Sequence, residues 1–418
     1  MMDRLADVLR ARRGPWGRWT LDRMGELLRL GEIPRDGPYL QVAGTAGKGS
    51  VCALVERGLR AAGLRTGLYT SPHLVDWEER VRIDGKAIGR EDFEKLITRW
   101  LELAARTTAP DGEGAPSGFE LLTAAGLDHF RRRRVDVGIL EVGLGGRLDA
   151  TGAVRPELCA IVTIGLDHQD VLGETLEEIA AEKAGILRPG VPVLLGPMAA
   201  EAEAVIRDVA ARVGAPILPE VSLARPRLRH LHGAEQEKNL PLAISLAWHW
   251  LQIHGPWTEE NWKKCLAAMA LARWPGRWDV RSLAGRSWIF DATLNACALP
   301  YLRRNWENFC RGRALRPSVV TASLDRRRAQ VLVPYLASVA GEVIFVAMEE
   351  ERALAGEELV SFLPKNFSGP VTIVGEGELD RLKPRMDPVL VTGSIHLTGL
   401  VLAALARRHP GFVPVGDL

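Results

Sequence analysis

The chain has 418 residues, 47% of them apolar and 25% charged, with a formal net charge of +2 at pH 7. These proportions are ordinary for a globular protein with a core of normal size, and they exclude disordered and collagenous chains. So small a net charge gives no electrostatic reason to expect nucleic acid or a membrane surface, and no run of about 18 apolar residues predicts a transmembrane span.

The N-terminal stretch "MMDRLADVLRARRGPW" carries acidic residues and no apolar core, unlike a signal peptide. "YLQVAG" predicts a buried strand, and Val51–Ala62 a helix that ends at Gly63. "RTGLYT" reads as a second strand, Ala109–Gly118 as a surface loop, and "FELLTAAGLDHF" has helical spacing. The run Arg131–Arg134 follows that helix, where cations complement the dipole; a solvated face is the simplest reading. "VDVGILEV" and "CAIVTIG" are continuous apolar runs, as in parallel strands covered on both faces. "TLEEIAAEKAGIL" reads as a helix and "VPVLLG" as a strand. This alternation predicts a parallel α/β sheet.

Two amphipathic helices follow, "NLPLAISLAWHWLQ" and "TEENWKKCLAAMA", with Trp248, Trp250, Trp257 and Trp262 assigned to the core. "RWPGRWDVRSLAGRS" has no clear period and reads as a boundary, with Trp274 and Trp278 packing a hinge. Beyond it five short strands recur: "SWIFDA", "SVVTAS", "VIFVAM", "PVTIVG" and "PVLVTGS". The expectation is a P-loop-containing parallel-sheet domain over 1–283 and a smaller Rossmann-like α/β domain over 284–418. The five cysteines form no C-x-x-C pair, which fits a reducing cytoplasm better than a disulfide framework or a zinc site.

The stretch "QVAGTAGKGS", Gln41–Ser50, combines a strand, a glycine turn, a lysine and a hydroxyl. A phosphate cradle needs these parts: backbone N–H groups and a helix N-terminus face the anion, and glycines let the backbone approach. Lys48 would reach the β- and γ-phosphates and Ser50 would cap the helix. The pattern departs from G-x-x-x-x-G-K-[ST] because Gly49 separates Lys48 from Ser50. Glu141 ends a second strand, where open parallel sheets bind ligands, and a carboxylate there suits Mg²⁺. On its own it reads equally well as a solvated acid. Asp167 and His168 end a third strand. A lone histidine is usually structural, but beside Glu141 it adds weight to a metal site. Lys183 lies in a helix and by itself reads as a solvated lysine.

"VAGTAGKGS", "GLYTSPHLVDWEERVRIDG", "LEVGLGGRLDATG", "IGLDHQDVLGETLEEIAAEKAGILRPG", "WPGRWDV" and "VTGS" occur in this order. In these stretches the chain resembles the folylpolyglutamate synthase/dihydrofolate synthase family, within the ATP-dependent Mur-ligase-like superfamily. The resemblance implies an ATP- and Mg²⁺-dependent amide ligase. It joins L-glutamate to a folate or to dihydropteroate through an acyl phosphate, while its second domain closes over the reactants. It places the ATP phosphates on Thr45, Ala46, Gly47, Lys48, Gly49 and Ser50, and further nucleotide contacts on Asn239, Arg277 and Asp291. It places the metal on Ser71, Glu141 and His168, and the pterin side of the acceptor on Phe119, Glu120, Arg147 and Asp149. Lys183 matches a lysine that carries a carbamate, and Lys48, Lys183 and His168 form the catalytic set. A monovalent cation, a monomeric state and a cytoplasmic location also belong to that expectation, with no nucleic-acid or membrane partner.

The chain departs from the family pattern at several positions. Ala46 stands where asparagine is usual, Thr293 and Leu294 replace the alanine and histidine of D-G-A-H-N-P, and Asn295 is kept. Glu235 replaces a common histidine, Arg326 a lysine and His396 an aromatic residue. These changes cluster toward the second domain, so the nucleotide side matches better than the amino-acid side. Two alternatives stay open: a ligase retuned for another acceptor or amino acid, and a relative that binds nucleotide or pterin without ligating.

Overall fold

The structure, a computed structural model, describes residues 2–12, 20–107, 115–292 and 297–418. Two compact units emerge. The first comprises Met1–Leu228, Glu237–Ala272 and Asp417–Leu418; the second comprises Arg229–Gln236 and Arg273–Gly416. Thr293, Leu294 and Asn295 lie outside the described residues.

The first unit holds a seven-stranded sheet. Its strands are β1 (Tyr39–Ala43), β2 (Thr66–Tyr69), β3 (Val81–Ile83), β4 (Lys86–Ala87), β5 (Val137–Glu141), β6 (Leu158–Ile161) and β7 (Val193–Leu195). Their order is β4-β3-β2-β5-β1-β6-β7, and pairing is parallel except for β3 and β4. β1 is buried at every residue, as a strand covered on both faces must be. The β3–β4 hairpin had no counterpart in the sequence reading. It turns on Asp84 and Gly85, both at positive φ (50° and 77°), the two-residue connection that matches strand twist.

The second unit holds β8 (Asp279–Leu283), β9 (Arg286–Asp291), β10 (Ser318–Thr321), β11 (Glu342–Ala347), β12 (Val371–Gly375) and β13 (Val389–Thr392). The order is β12-β11-β10-β13-β9-β8, with only β8 antiparallel. β8 lies inside the stretch read as an aperiodic boundary. It pairs with β9 across Ala284 and Gly285, at φ 51° and 76°. The main segment of the second unit runs from Arg273 to Gly416.

Most elements read from the sequence are present. The first helix after β1 starts earlier than expected, at Lys48, and runs to Ala61. Trp250 and Trp262 are buried, but Trp257 is 39% exposed and meets Trp248 edge-on at 5.4 Å. Three of the four arginines in the run form ion pairs: Arg131 and Arg132 reach the fully buried Asp128 at 3.2 and 2.9 Å, and Arg133 reaches Asp92 at 3.0 Å.

Phe130, on the helix Gly118–Arg133, shows how helix and sheet fit. Gly67 of β2 and Gly138 of β5 are direct register partners. A Cβ on Gly67 would stand 2.7 Å from the Phe130 ring, and one on Gly138 would stand 3.1 Å from it. Two adjacent glycines thus make the seat for one ring. Gly67→Ala should overpack this seat and cost about 1–3 kcal/mol, and Phe130→Ala should cost about 3–5 kcal/mol. The double variant should cost less than the sum, because the clash needs both partners. Urea denaturation of the four proteins checks this; strict additivity would show that the ring and glycine do not share the space.

Candidate active site

β1 delivers the chain into Gly44–Gly47 and then into the helix Lys48–Ala61. Gly47 caps this helix at φ 86°, and a Cβ there would lie 2.4 Å from Asn239 Oδ1, so only glycine fits. The first bond inside the helix runs from the Val51 N–H to the Gly47 carbonyl. The N–H groups of Lys48, Gly49 and Ser50 precede it and gather at the positive end of the dipole. Lys48 Nζ donates to the Gly44 carbonyl at 3.0 Å, folding the cation back over the turn. Thr45 and Ala46 are bound differently. Thr45 N–H donates to the Thr163 carbonyl at 2.8 Å, and Ala46 N–H donates to Thr163 Oγ1 at 3.1 Å. These bonds shape the loop.

β5 pairs with β1 on one side and β2 on the other, so register sets the next group. Glu141, the buried last residue of β5, accepts the Ser71 N–H at 3.1 Å, just beyond the end of β2. His168 lies after β6, on the opposite flank of β1, at φ 51° with its side chain 44% exposed. Its N–H donates to Asp167 Oδ1 at 3.1 Å. Among the described residues no three His, Cys, Asp or Glu side chains converge on one point. A carboxylate, a hydroxyl and an imidazole suit a hard divalent ion that takes the rest of its shell from phosphate and water.

Lys183 is no solvated lysine: only 4% of it is exposed, on the helix Leu176–Ala184. Burial, and then the nearby Lys48 charge, push its pKa down to about 7, against the pull of Asp167, Asp149 and Glu182.

A cavity of about 430 Å³ adjoins these residues and shares Ser71 with them. Its wall includes Pro72, Phe119, Leu144 and Leu148 together with Arg12, Arg23, Arg80, Glu120 and Asp149. Phe119 presents a ring that Tyr69 backs at 6.2 Å. Glu120 closes a capping box with Ser117 and lies 3.4 Å from Arg23 Nε. Asp149 staples the loop: Oδ2 accepts from the Gly143 and Leu144 N–H groups, both at 3.0 Å, and Oδ1 from Thr151 N–H and Oγ1 at 3.0 and 2.6 Å. Burial raises its pKa while those bonds lower it, and burial dominates. Arg147 lies outside the wall and holds Glu182 Oε1 at 2.8 Å, tying the loop to the Lys183 helix. The sequence reading did not select the cavity's three arginines.

The chain is 31% identical over 408 residues to the dihydrofolate synthase/folylpolyglutamate synthase of Bacillus subtilis, spanning 90% of this chain and 92% of the relative. The chain belongs to the folylpolyglutamate synthase/dihydrofolate synthase family. An Arabidopsis thaliana folylpolyglutamate synthase is 40% identical over 244 residues, 57% of this chain but 38% of that protein. Matches to the other leading eukaryotic relatives span about half their length or less, 52% for the human mitochondrial enzyme. The Mycobacterium tuberculosis folylpolyglutamate synthase complexed with ADP and AMPPCP superposes with a TM-score of 0.81 at 26% identity, covering 97% of this chain and 98% of that one. A bifunctional folylpolyglutamate synthase/dihydrofolate synthase with Mn, AMPPNP and L-glutamate bound gives 0.77 at 27% identity, covering 96% and 98%. A comparison with protein-family models finds no match.

The remaining positions expected from the family divide between the units. Asn239 belongs to the first, with its Oδ1 against Gly47. Arg277 and Asp291 belong to the second, where buried Asp291 accepts the Trp278 N–H at 3.2 Å. Glu235 joins them there. Burial, and then Asp291, push its carboxyl above the usual range, and Asn305 Nδ2 donates to it at 3.1 Å. Arg326 pairs with Glu358 at 2.9 Å and His396 is exposed.

Thr163 is a residue the sequence reading passed over. Its hydroxyl accepts from the Ala46 N–H and donates to the Ala46 carbonyl at 3.0 Å. Thr163→Val should remove both bonds, at about 1 kcal/mol each, and loosen the cradle. Hydrogen exchange at the Ala46 amide should accelerate about tenfold or more while exchange in β1 stays unchanged.

Proposed function

We propose that the protein is an ATP-dependent ligase that adds L-glutamate to a folate or to dihydropteroate. The observation that carries this reading is the double membership of Ser71. It lies against Glu141 beside the phosphate cradle, and it also forms part of the wall of a cavity sized for a small organic acid. A phosphate donor and a carboxylate acceptor can therefore meet at one wall. The apolar lining and the Phe119 ring suit the flat face of a pterin.

A carboxylate is a poor electrophile. Its attack on the γ-phosphorus forms an O–P bond and releases ADP, leaving an acyl phosphate. The glutamate amine then attacks the acyl carbon; the new C–N bond forms, the C–O bond breaks, phosphate departs and the amine sheds a proton. The protein's part is alignment and charge neutralisation. Lys48 and the N–H groups of residues 47–50 hold the phosphates. Glu141, His168 and Ser71 would hold Mg²⁺, which would offset phosphoryl charge. Asn239, Arg277 and Asp291 are proposed nucleotide contacts, and Phe119 and Glu120 face the acceptor. Asp149, in the cavity wall, is proposed to face the acceptor as well as to fix the loop, and Arg147 to tie that loop to the Lys183 helix. A cytoplasmic monomer completes the proposal. Among the described residues no helix is long and apolar enough to cross a membrane.

Phosphate release from ATP should depend on L-glutamate together with tetrahydrofolate or dihydropteroate. Release with one acceptor alone would name the activity. ATP binding without glutamate-dependent release from either would sink the ligase reading in favour of a retuned or non-ligating relative.

Lys183 is also proposed to carry a carbamate, formed when its neutral amine adds CO₂ and loses a proton. With a pKa of about 7 the neutral amine is half populated near pH 7 and predominates above about pH 8, whereas an ordinary lysine stays charged to about pH 10. In ¹³C-bicarbonate a carbamate resonance should grow as pH rises through 7, and should be missing from Lys183→Arg. A wild-type spectrum without that resonance at pH 8.5 would refute the carbamate.

A further inference from the structure

We propose that Arg80 is the residue that binds a carboxylate of the acceptor substrate, and that His73 and Trp77 hold its guanidinium ready to do so. This rests on the ligase reading above and adds to it a specificity-determining residue and its positioning partners.

Arg80 ends the short turn Trp77–Arg80 and lines the cavity. Its carbonyl accepts the Thr70 N–H at 3.0 Å, which fixes its backbone beside the residue preceding Ser71. The side chain is held at two points. Nε donates to His73 Nδ1 at 2.9 Å, and the guanidinium carbon lies 4.9 Å from the centre of the Trp77 ring. His73 itself packs on Trp77 at 4.5 Å. An arginine only donates, so His73 Nδ1 is necessarily the acceptor in this bond. These contacts use one edge of the guanidinium and one of its faces. The Nη1 and Nη2 edge keeps the fork that matches a carboxylate in two parallel bonds.

Arg80 has no carboxylate within ion-pair distance among the described residues, which is unusual for a guanidinium that burial pushes below its ordinary pKa. The nearby acids are already engaged. Glu79 accepts the N–H groups of Leu74, Val75 and Asp76 at 2.9, 2.8 and 2.7 Å. Glu141 accepts from Ser71, Glu120 from Ser117, and Asp149 from four donors. Arg12, on the same wall, gives its Nη1 to the Pro116 carbonyl at 3.3 Å, and Arg23 lies 3.4 Å from Glu120. Arg80 is thus the pre-oriented cation at the Ser71 end of the cavity. An anionic group of the ligand would complete its pairing there.

Dihydropteroate has one carboxylate, the one that reacts; a folylglutamate has two. Binding and steady-state kinetics of Arg80→Met, Arg80→Lys, His73→Leu and His73→Asn with both acceptors test the proposal and tell the two carboxylates apart. Arg80→Met should raise the acceptor Kd and KM by roughly 10- to 100-fold, the range for a charged hydrogen-bonded contact, and leave the KM for ATP unchanged. Arg80→Lys should recover only part of this. His73→Leu should raise the acceptor KM by a smaller factor and His73→Asn, whose amide oxygen can still accept from Nε, should restore it. A rise with both acceptors assigns the reacting carboxylate to Arg80; a rise with the folylglutamate alone assigns the spectator carboxylate. Unchanged acceptor Kd with both, in variants whose melting temperature matches wild type, overturns the proposal. If Arg80→Met does not fold, the His73 pair decides: equal KM for Leu and Asn at wild-type level overturns it. Wild-type protein that binds neither acceptor would instead refute the ligase reading, so the two failures are distinct.

Discussion

The arrangement of the candidate site rests on one constraint: β1 lies between β5 and β6, in parallel register with both. Parallel pairing brings the carboxyl ends of these strands to one edge. The glycine turn follows β1, Glu141 closes β5, and the loop carrying Thr163 and His168 follows β6. Val42 sits opposite Glu141 and Ala43 opposite Ile161, so a slip of one residue would separate the cradle from its acid. The sheet also connects to the cavity. Gln41, fully buried in β1, donates to Thr151 Oγ1 at 2.9 Å; Thr151 donates to Asp149, and Asp149 fixes residues 143 and 144. Three side chains carry the register of the central strand into the wall that faces the acceptor.

Electrostatics gives this edge a direction. Lys48, the N-terminus of its helix and buried Lys183 crowd positive charge at one place, and the depressed pKa of Lys183 records part of the cost. A polyphosphate bound there would relieve that crowding. A carbamate would reverse the sign at Lys183 and turn a repelled cation into an oxygen ligand. The helix that carries it is clamped by Arg147 through Glu182, so the position of this group depends on the same loop that Asp149 staples.

Much of this was legible in the sequence because it depends on local chemistry. The apolar run, glycines and lysine after Gln41 announce a strand, a turn and a helix start, and Glu141 at the end of an apolar run announces an acid at a strand end. What was illegible depends on burial and on long-range partners. Nothing near Lys183 says that its helix face turns inward. The family resemblance puts Asp149 and Arg147 on the pterin side of the acceptor, but no local pattern announces that their side chains also bind Gly143, Leu144, Thr151 and Glu182, contacts that the fold alone creates. The second sheet's β8 hid in a stretch with an alternating half-buried pattern too weak to read as a strand. The β3–β4 hairpin is different: the Asp-Gly turn was in plain view between two β-prone runs, and the short strands masked it. Arg80 lies within the stretch "GLYTSPHLVDWEERVRIDG", but the role proposed for it comes from how its folded neighbours are paired.

The alanine at position 46 shows how a departure from the family pattern is absorbed. In the family pattern this position is usually asparagine, whose side chain adds a polar contact. Here the backbone of Ala46 bonds in both directions to the Thr163 hydroxyl, and the Thr45 hydroxyl bridges the Gly165 N–H and carbonyl at 3.0 and 3.1 Å. One threonine in the turn and one on the adjoining loop lock the two together, and the side chain at 46 is left no task in the turn's shape. A phosphate cradle works through backbone donors held in place, so the identity of one side chain matters less than the stiffness of what it is attached to. That separates this change from Glu235. There, replacing a histidine puts a second carboxyl group beside Asp291 in the second unit, where burial and then Asp291 push its pKa up. The first substitution preserves the physics of its position; the second alters it, and it falls among the proposed nucleotide contacts.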